Sequence, residues 1–147
     1  IHYLVLLFRV STQRTRRTEH RGWDRMKVGF DYWQVLSHYP DQFRALEQAL
    51  RLAGHDVYVI SAVGNNRAGT VRGEVERLGF DVPVHEVVFD NPKQSPELKL
   101  AKCQELGIEV FYDDRDDVCR LLSKHDILAM RVTRKDTTTY DLEAERT

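Results

Sequence analysis

The chain has 147 residues, 41% of them hydrophobic and 31% charged, with a formal net charge of −1. That length and mix suit one folded domain with a single core, not a disordered chain. The near-zero charge argues against the global basic field that draws nucleic acid or an anionic membrane. The longest apolar run, Leu4 to Phe8 within Ile1–Val10, falls far short of the roughly 20 residues that span a bilayer. Arginines follow that run instead of preceding it, unlike the order in a signal peptide. Cys103 and Cys119 each sit in an apolar helical pattern with no zinc-type spacing, so they read as buried free thiols, and a reducing, cytoplasmic location is expected.

Residues 1–25 differ in style from the rest. They hold six arginines and no lysine, and Met26 opens what looks like a natural start. The segment is expected to be an extension, non-native or disordered; the plainer alternative is an arm with a strand at Tyr3–Val10. From Met26 the chain alternates. Val28–Phe30 predicts a first strand. Asp41–Ala53 predicts a helix, with Phe43, Leu46 and Leu50 at helical spacing and Gly54 as its stop. Val57–Ile60 is β-branched and aromatic throughout, as a buried parallel strand requires. Arg67–Leu78 predicts a second helix ended by Gly79, and Val84–Phe89 a third strand. Ser95-Pro96-Glu97 opens a third helix, with Ser95 as N-cap and Pro96 at the first position; Gly107 ends it. Ile108–Tyr112, Asp116–Lys124 and Ile127–Val132 complete the pattern as strand, helix and strand. Residues 133–147 form a polar tail.

This order predicts an α/β, three-layer Rossmann-like domain over residues 26–132. Its parallel sheet has about five strands, with helices on both faces. Ligands in such sheets bind outside the carboxyl ends of the strands. There the sequence places Asp31 after the first strand, Ser61 after the second and Asp113-Asp114 after the fourth. Lys93, Lys99 and Lys102 lie before the fourth strand. Each signal alone is weak, since a lone aspartate after a strand is usually a turn or cap residue. The ordered set says more. Asp31 and Asp114 converging on one edge would repel unless a proton or cation intervenes. Hard carboxylate oxygens suit Mg²⁺, and a serine hydroxyl with a lysine ammonium would complete a cradle for a phosphoryl group.

Across residues 27–132 this set resembles the haloacid dehalogenase-like (HAD) hydrolase superfamily, in the form of a small member without a cap domain. Val28-Gly29-Phe30-Asp31-Tyr32-Trp33 is similar to its first motif, a strand followed by Asp-x-Asp. Val57-Tyr58-Val59-Ile60-Ser61 is similar to the second, and Val110-Phe111-Tyr112-Asp113-Asp114 to the fourth. The third is a lysine, for which Lys99 is the first choice and Lys93 the second. The resemblance implies a Mg²⁺-dependent phosphohydrolase acting through an aspartyl-phosphate. Asp31 would be the nucleophile, Ser61 a binder of phosphoryl oxygens, and the lysine a neutraliser of charge. Asp31, Asp113, Asp114 and the backbone carbonyl of Trp33 would hold the metal. Arg67, in the loop after the second strand, would contact an anionic substrate; the plainer reading is a solvated arginine. For Asp116 and Asp117 that reading is helix N-terminal charge. One position departs. Trp33 stands where the family's phosphatases carry a second aspartate as general acid and base, and an indole cannot do that work. Slow turnover, substitution by His38, or a non-enzymatic module that binds a phosphorylated ligand or protein partner would each follow. The expected partners are a phosphorylated small molecule or a macromolecular phosphate, with no membrane and no indication of nucleic acid.

Overall fold

A computed structural model of the chain describes residues 25–135, and the expected N-terminal strand at Tyr3–Val10 lies outside them. Five strands form one sheet: β1 (Lys27–Phe30), β2 (Asp56–Gly64), β3 (Val84–Phe89), β4 (Val110–Asp113) and β5 (Leu128–Arg131). Four helices connect them: α1 (Pro40–Leu52), α2 (Val71–Arg77), α3 (Ser95–Leu106) and α4 (Asp116–Lys124). The strand order is β3-β2-β1-β4-β5, and every pairing is parallel. The predicted α/β class and layering are thus observed.

The layers follow from which side chains meet. On one face Val28, Phe30, Val57 and Val59 pack against Phe43 of α1 and Val71 and Val75 of α2. On the other, Ile60 and Phe111 pack against Leu100 and Cys103 of α3 and Val118 and Leu122 of α4. Successive strand residues point to opposite faces. So β1 sends Val28 and Phe30 one way, and Gly29 the other way, toward the ring of Phe111.

Several element boundaries differ from the sequence expectation, β4 among them, which runs over Val110–Asp113 and not Ile108–Tyr112. β2 continues past Ile60 to Gly64, because Ala62, Val63 and Gly64 pair with Val87, Val88 and Phe89 of β3. Ser61 therefore lies inside a strand, not after it. The second helix begins at Val71 instead of Arg67. Asn65–Arg67 form a separate helical turn, and Gly69, at φ +87°, breaks the path between them. The N-cap expected at Ser95 also moves. A short turn at Pro92–Gln94 runs directly into α3, and Asn91 caps that turn in a reciprocal capping box with Gln94. Gly107 ends α3 at φ +72°, as expected of a left-handed C-terminal glycine.

Candidate functional site

From β1 the chain proceeds outward through β2 to β3, then crosses back so that β4 lies on β1's other side. The carboxyl ends of β1 and β4 therefore flank the point where the strand order reverses, the usual binding crevice of an open parallel sheet. Asp31 is the residue after β1, and Asp113 and Asp114 end and follow β4. All three are buried, and each offers a carboxylate oxygen within 4.8 Å of the others'. Sheet pairing explains the convergence: the backbone N–H of Asp31 donates to the carbonyl of Tyr112 at 2.9 Å, which fixes the two strand ends side by side.

Lys99 rises into this cluster from α3. Its Nζ lies 2.5 Å from Asp113 Oδ2 and 3.1 Å from Asp31 Oδ1, with the side chain 3% exposed. Of the two lysines the sequence offered, Lys99 is the one at the carboxylates; Lys93 stands exposed on the turn before α3. Electrostatics tie the group together. Burial pushes Asp31 well above the ordinary carboxylate range. Lys99 opposes that rise, while the charges of Asp113 and Asp114 add to it. Burial also raises Asp113, again against the pull of Lys99. For Lys99 burial acts to lower the pKa, but Asp113 and Asp31 outweigh it and the ammonium is held above its usual range. Asp113 further accepts the backbone N–H of Arg115 at 2.9 Å.

Three buried carboxylates face one lysine and one arginine, Arg134, so with all three ionised the cluster keeps one negative charge in excess, which a cation or a proton would offset. The donor set is all hard oxygen, and the cluster is able to hold a metal ion.

The remaining expected residues fall in different places. Ser61 is buried on β2 beside Glu86 of β3, two positions beyond the partner of Phe30. Trp33 lies in a kinked turn over Tyr32–Leu36 that leaves the site directly after Asp31. Its backbone is extended, at φ −69° and ψ 132°, and Gln34 turns the chain at φ +64°. The indole is 45% exposed and meets the His38 ring edge-on at 5.5 Å. His38 is bound into the same turn: its Nδ1 lies 2.8 Å from Ser37 Oγ, which accepts the N–H of Gln34. Arg67 is exposed, and its guanidinium donates to Glu74 at 3.0 Å. Asp116 and Asp117 occupy the first turn of α4, where Asp116 pairs with Arg120 and Asp117 with Arg115.

Several participants were not legible in the sequence. Arg134, two residues past the last apolar position of β5's segment, places Nε 2.7 Å from Asp114 Oδ2, with the two side chains 12% and 3% exposed. Its signal was a single arginine at the start of a polar tail. Thr133, also assigned to that tail, is held through its carbonyl by the Tyr39 hydroxyl at 2.7 Å. Glu86 accepts the backbone N–H groups of Gly69 and Val71 and so anchors the loop after β2. The Tyr32 phenol is pushed up by burial and then by the charge of Glu74, to which it is hydrogen-bonded. A hollow of about 180 Å³ lined by Glu47, Arg51, His55 and Tyr58 lies at the opposite, amino-terminal end of β2, away from the carboxylates.

Fold and site together define an α/β domain with a buried acidic cluster, able to hold a cation, at the strand-order reversal of a five-stranded parallel sheet. No family model matches the chain, and no curated protein matches it. Among solved structures, the chain is similar to one in the structure of the Pnkp1/Rnl/Hen1 RNA repair complex. The TM-score is 0.55 at 15% identity, over 78% of this chain and 45% of that one. This chain thus spans less than half the length of that neighbour, and the likeness is one of fold.

Proposed function

We propose that the chain is a Mg²⁺-dependent phosphohydrolase domain of the HAD-like type, acting on phosphomonoesters through an aspartyl-phosphate. The observation that supports this reading is the joining of Asp31, Asp113, Asp114 and Lys99 into one buried cluster at the strand-order reversal. Mg²⁺ held by Asp31 and Asp114, with the Trp33 carbonyl as a further donor, would supply charge neutralisation for the phosphoryl group. The rest is the work of the chain. An Asp31 carboxylate oxygen attacks phosphorus, the bond to the ester oxygen breaks, and that oxygen takes a proton from solvent water and leaves as the alcohol. Water then hydrolyses the acyl phosphate and regenerates the carboxylate. Lys99, 3.1 Å from Asp31 Oδ1, opposes the effect of burial on Asp31 and orients its carboxyl group. Asp113, locked between Lys99 and the Arg115 N–H, keeps Lys99 in place. Ser61 and Lys93 are the expected additional contacts to the phosphoryl group and substrate, with Arg67 at the rim.

The exposed indole of Trp33 favours a second reading, a binding module that keeps the phosphate site and has lost turnover. Proton transfer by a positioned group is worth about 10²–10⁴-fold, and Trp33 supplies none. Because the indole is 45% exposed, Trp33→Asp does not hollow a core. It is expected to raise Mg²⁺-dependent hydrolysis of p-nitrophenyl phosphate at least about tenfold, and Asp31→Asn to abolish it. A folded Trp33→Asp variant with no gain decides for the binding module. The RNA repair complex to which the similar chain belongs makes an end-phosphorylated RNA oligonucleotide the second substrate to assay.

A further inference from the structure

A hydroxyl that the mechanism leaves unused lies one helical turn from Lys99. Ser95 is 1% exposed, and its Oγ has no hydrogen-bond partner among the described residues. A buried polar group left unpaired costs free energy, so packing alone gives no reason to keep it. Its place in the fold gives one. α3 runs from the carboxyl end of β3 back to the start of β4, so its first turn borders the carboxyl edge of the sheet. Ser95 and Lys99 are four residues apart on α3 and share one face of it. Lys99 Nζ marks where that face points, at 2.5 Å from Asp113 Oδ2 and 3.1 Å from Asp31 Oδ1. Four helical residues rise roughly 6 Å, and Cα–Cβ bonds tilt toward the helix N-terminus. Ser95 is therefore set beyond Lys99, toward the edge that carries the carboxylates. The turn in front of it is fastened to the loop after Asp114, where Arg115 Nη1 donates to the Pro92 carbonyl at 3.3 Å. Ser61 belongs to the other face of the sheet: it pairs with Glu86, whose carboxylate accepts the N–H groups of Gly69 and Val71 at the start of α2.

Resting on the phosphohydrolase reading, we propose that Ser95 is a substrate-binding residue whose hydroxyl donates to a non-bridging oxygen of the phosphoryl group at Asp31. The division of labour on this helix face is chemical. Lys99 is engaged by two carboxylates. The Ser95 hydroxyl is uncommitted and neutral, so it adds a donor for the ligand without adding a charge that would compete with a cation for the carboxylates. Rotation about one side-chain bond aims it. The first turn of α3 contributes a field of the right sign, since a helix N-terminus favours an anion. A hydrogen bond to an ionised acceptor is stronger than one between neutral groups. The hydroxyl that burdens the fold thus strengthens the hold on the ligand.

The experiment uses the full chain, unmodified and as Ser95→Ala, a change that removes the hydroxyl and little volume. Each protein is melted, then titrated by calorimetry with Mg²⁺ and, once loaded, with inorganic phosphate. Ser95→Ala is expected to melt no lower than the unmodified chain and to bind Mg²⁺ equally well. It should bind phosphate about tenfold more weakly, the loss of one hydrogen bond to a charged acceptor. Unchanged phosphate affinity overturns the proposal. A lower melting temperature, or Mg²⁺ binding weakened alongside phosphate, shows a hydroxyl that supports the fold or the carboxylates, and overturns it as well. If the unmodified chain binds no phosphate, the phosphohydrolase reading itself fails and the proposal with it, a result visible before any variant is compared.

Discussion

Asp31 carries a heavy electrostatic burden. It is 4% exposed, faces two further carboxylates, and has one ammonium to offset them. Its raised pKa has a definite sign in stability. The folded state holds the Asp31 proton more tightly than the unfolded state does. The contribution is therefore fully present below the unfolded carboxylate value, near 3.9, and is lost as pH rises through the raised folded value. At neutral pH, without metal, the cluster strains the fold. Asp31→Asn keeps the shape, removes one charge, and leaves Lys99 its partner in Asp113. It is expected to melt at a higher temperature than the unmodified protein in chelator, with the difference widening from acid to neutral pH, since each pK unit displaced is worth about 1.4 kcal/mol. Equal melting temperatures at both pH values would sink this account. The same burial argument governs the thiols. Burial pushes Cys103 and Cys119 up to about 12. Neither is expected to react with a disulfide reagent in the native state, and both should react once unfolded; fast native labelling would contradict their placement. At this scale the carboxylates and Lys99 were readable because each follows a strand or rides a helix marked by Pro96 at its start and Gly107 at its end. Arg134 was not, since its role depends on where β5 ends beside β4.

At the scale of elements, Gly29 shows what pairing and packing demand together. A Cβ built there would lie 2.5 Å from Phe111 Cδ2 and 2.8 Å from Cε2. Phe111 is wholly buried in the core beneath α3 and α4, so its ring has nowhere to go. Gly29→Ala is expected to cost about 1–3 kcal/mol through overpacking and, because β1 carries Asp31, to loosen the cluster as well. Denaturant unfolding checks it, and a cost below a few tenths of a kcal/mol would mean that the ring accommodates the methyl group. Helices α1 and α4 were legible in their periodicity, α3 in its terminal Pro96 and Gly107, and β2 and β4 in their apolar runs. The true end of β2 was not, because Ser61 reads as a polar terminus, and only the register with β3 shows Ala62, Val63 and Gly64 still paired. The start of α2 was missed for a related reason. The helical pattern runs back through Arg67, but Gly69 adopts a left-handed conformation and Glu86 satisfies the N–H groups of Gly69 and Val71 from across the loop. Sequence spacing carries no trace of that long-range cap.

For the whole molecule, the decisive feature is that the chain reverses its strand order between β3 and β4. Alternation of strand and helix predicts a parallel sheet but not the order β3-β2-β1-β4-β5, and it is this order that sets Asp31 beside Asp113 and Asp114. Hydrophobic layers close both faces, so the carboxylates are enclosed by a fold whose stability elsewhere tolerates them. Among the described residues no helix is long and apolar enough to cross a membrane. The link between site and fold makes a global measurement informative. A ligand that binds only the native state stabilises it by RT ln(1 + [L]/Kd), about 2.7 kcal/mol at a hundred times Kd. Mg²⁺ at millimolar levels is expected to raise the melting temperature of the unmodified chain. The shift should grow with pH through the range where Asp31 gives up its proton, because the ion and the proton compete for one oxygen set. Asp114→Asn should remove most of the shift, since it takes a charged ligand from the cluster while leaving Lys99 on Asp31 and Asp113. In Asp31→Asn, already relieved of repulsion, the ion gains less than in the unmodified chain. Differential scanning calorimetry with Mg²⁺ and with chelator, at two pH values, separates these cases. A melting temperature indifferent to Mg²⁺ at both would mean that the three carboxylates are balanced by Lys99, Arg134 and a retained proton alone.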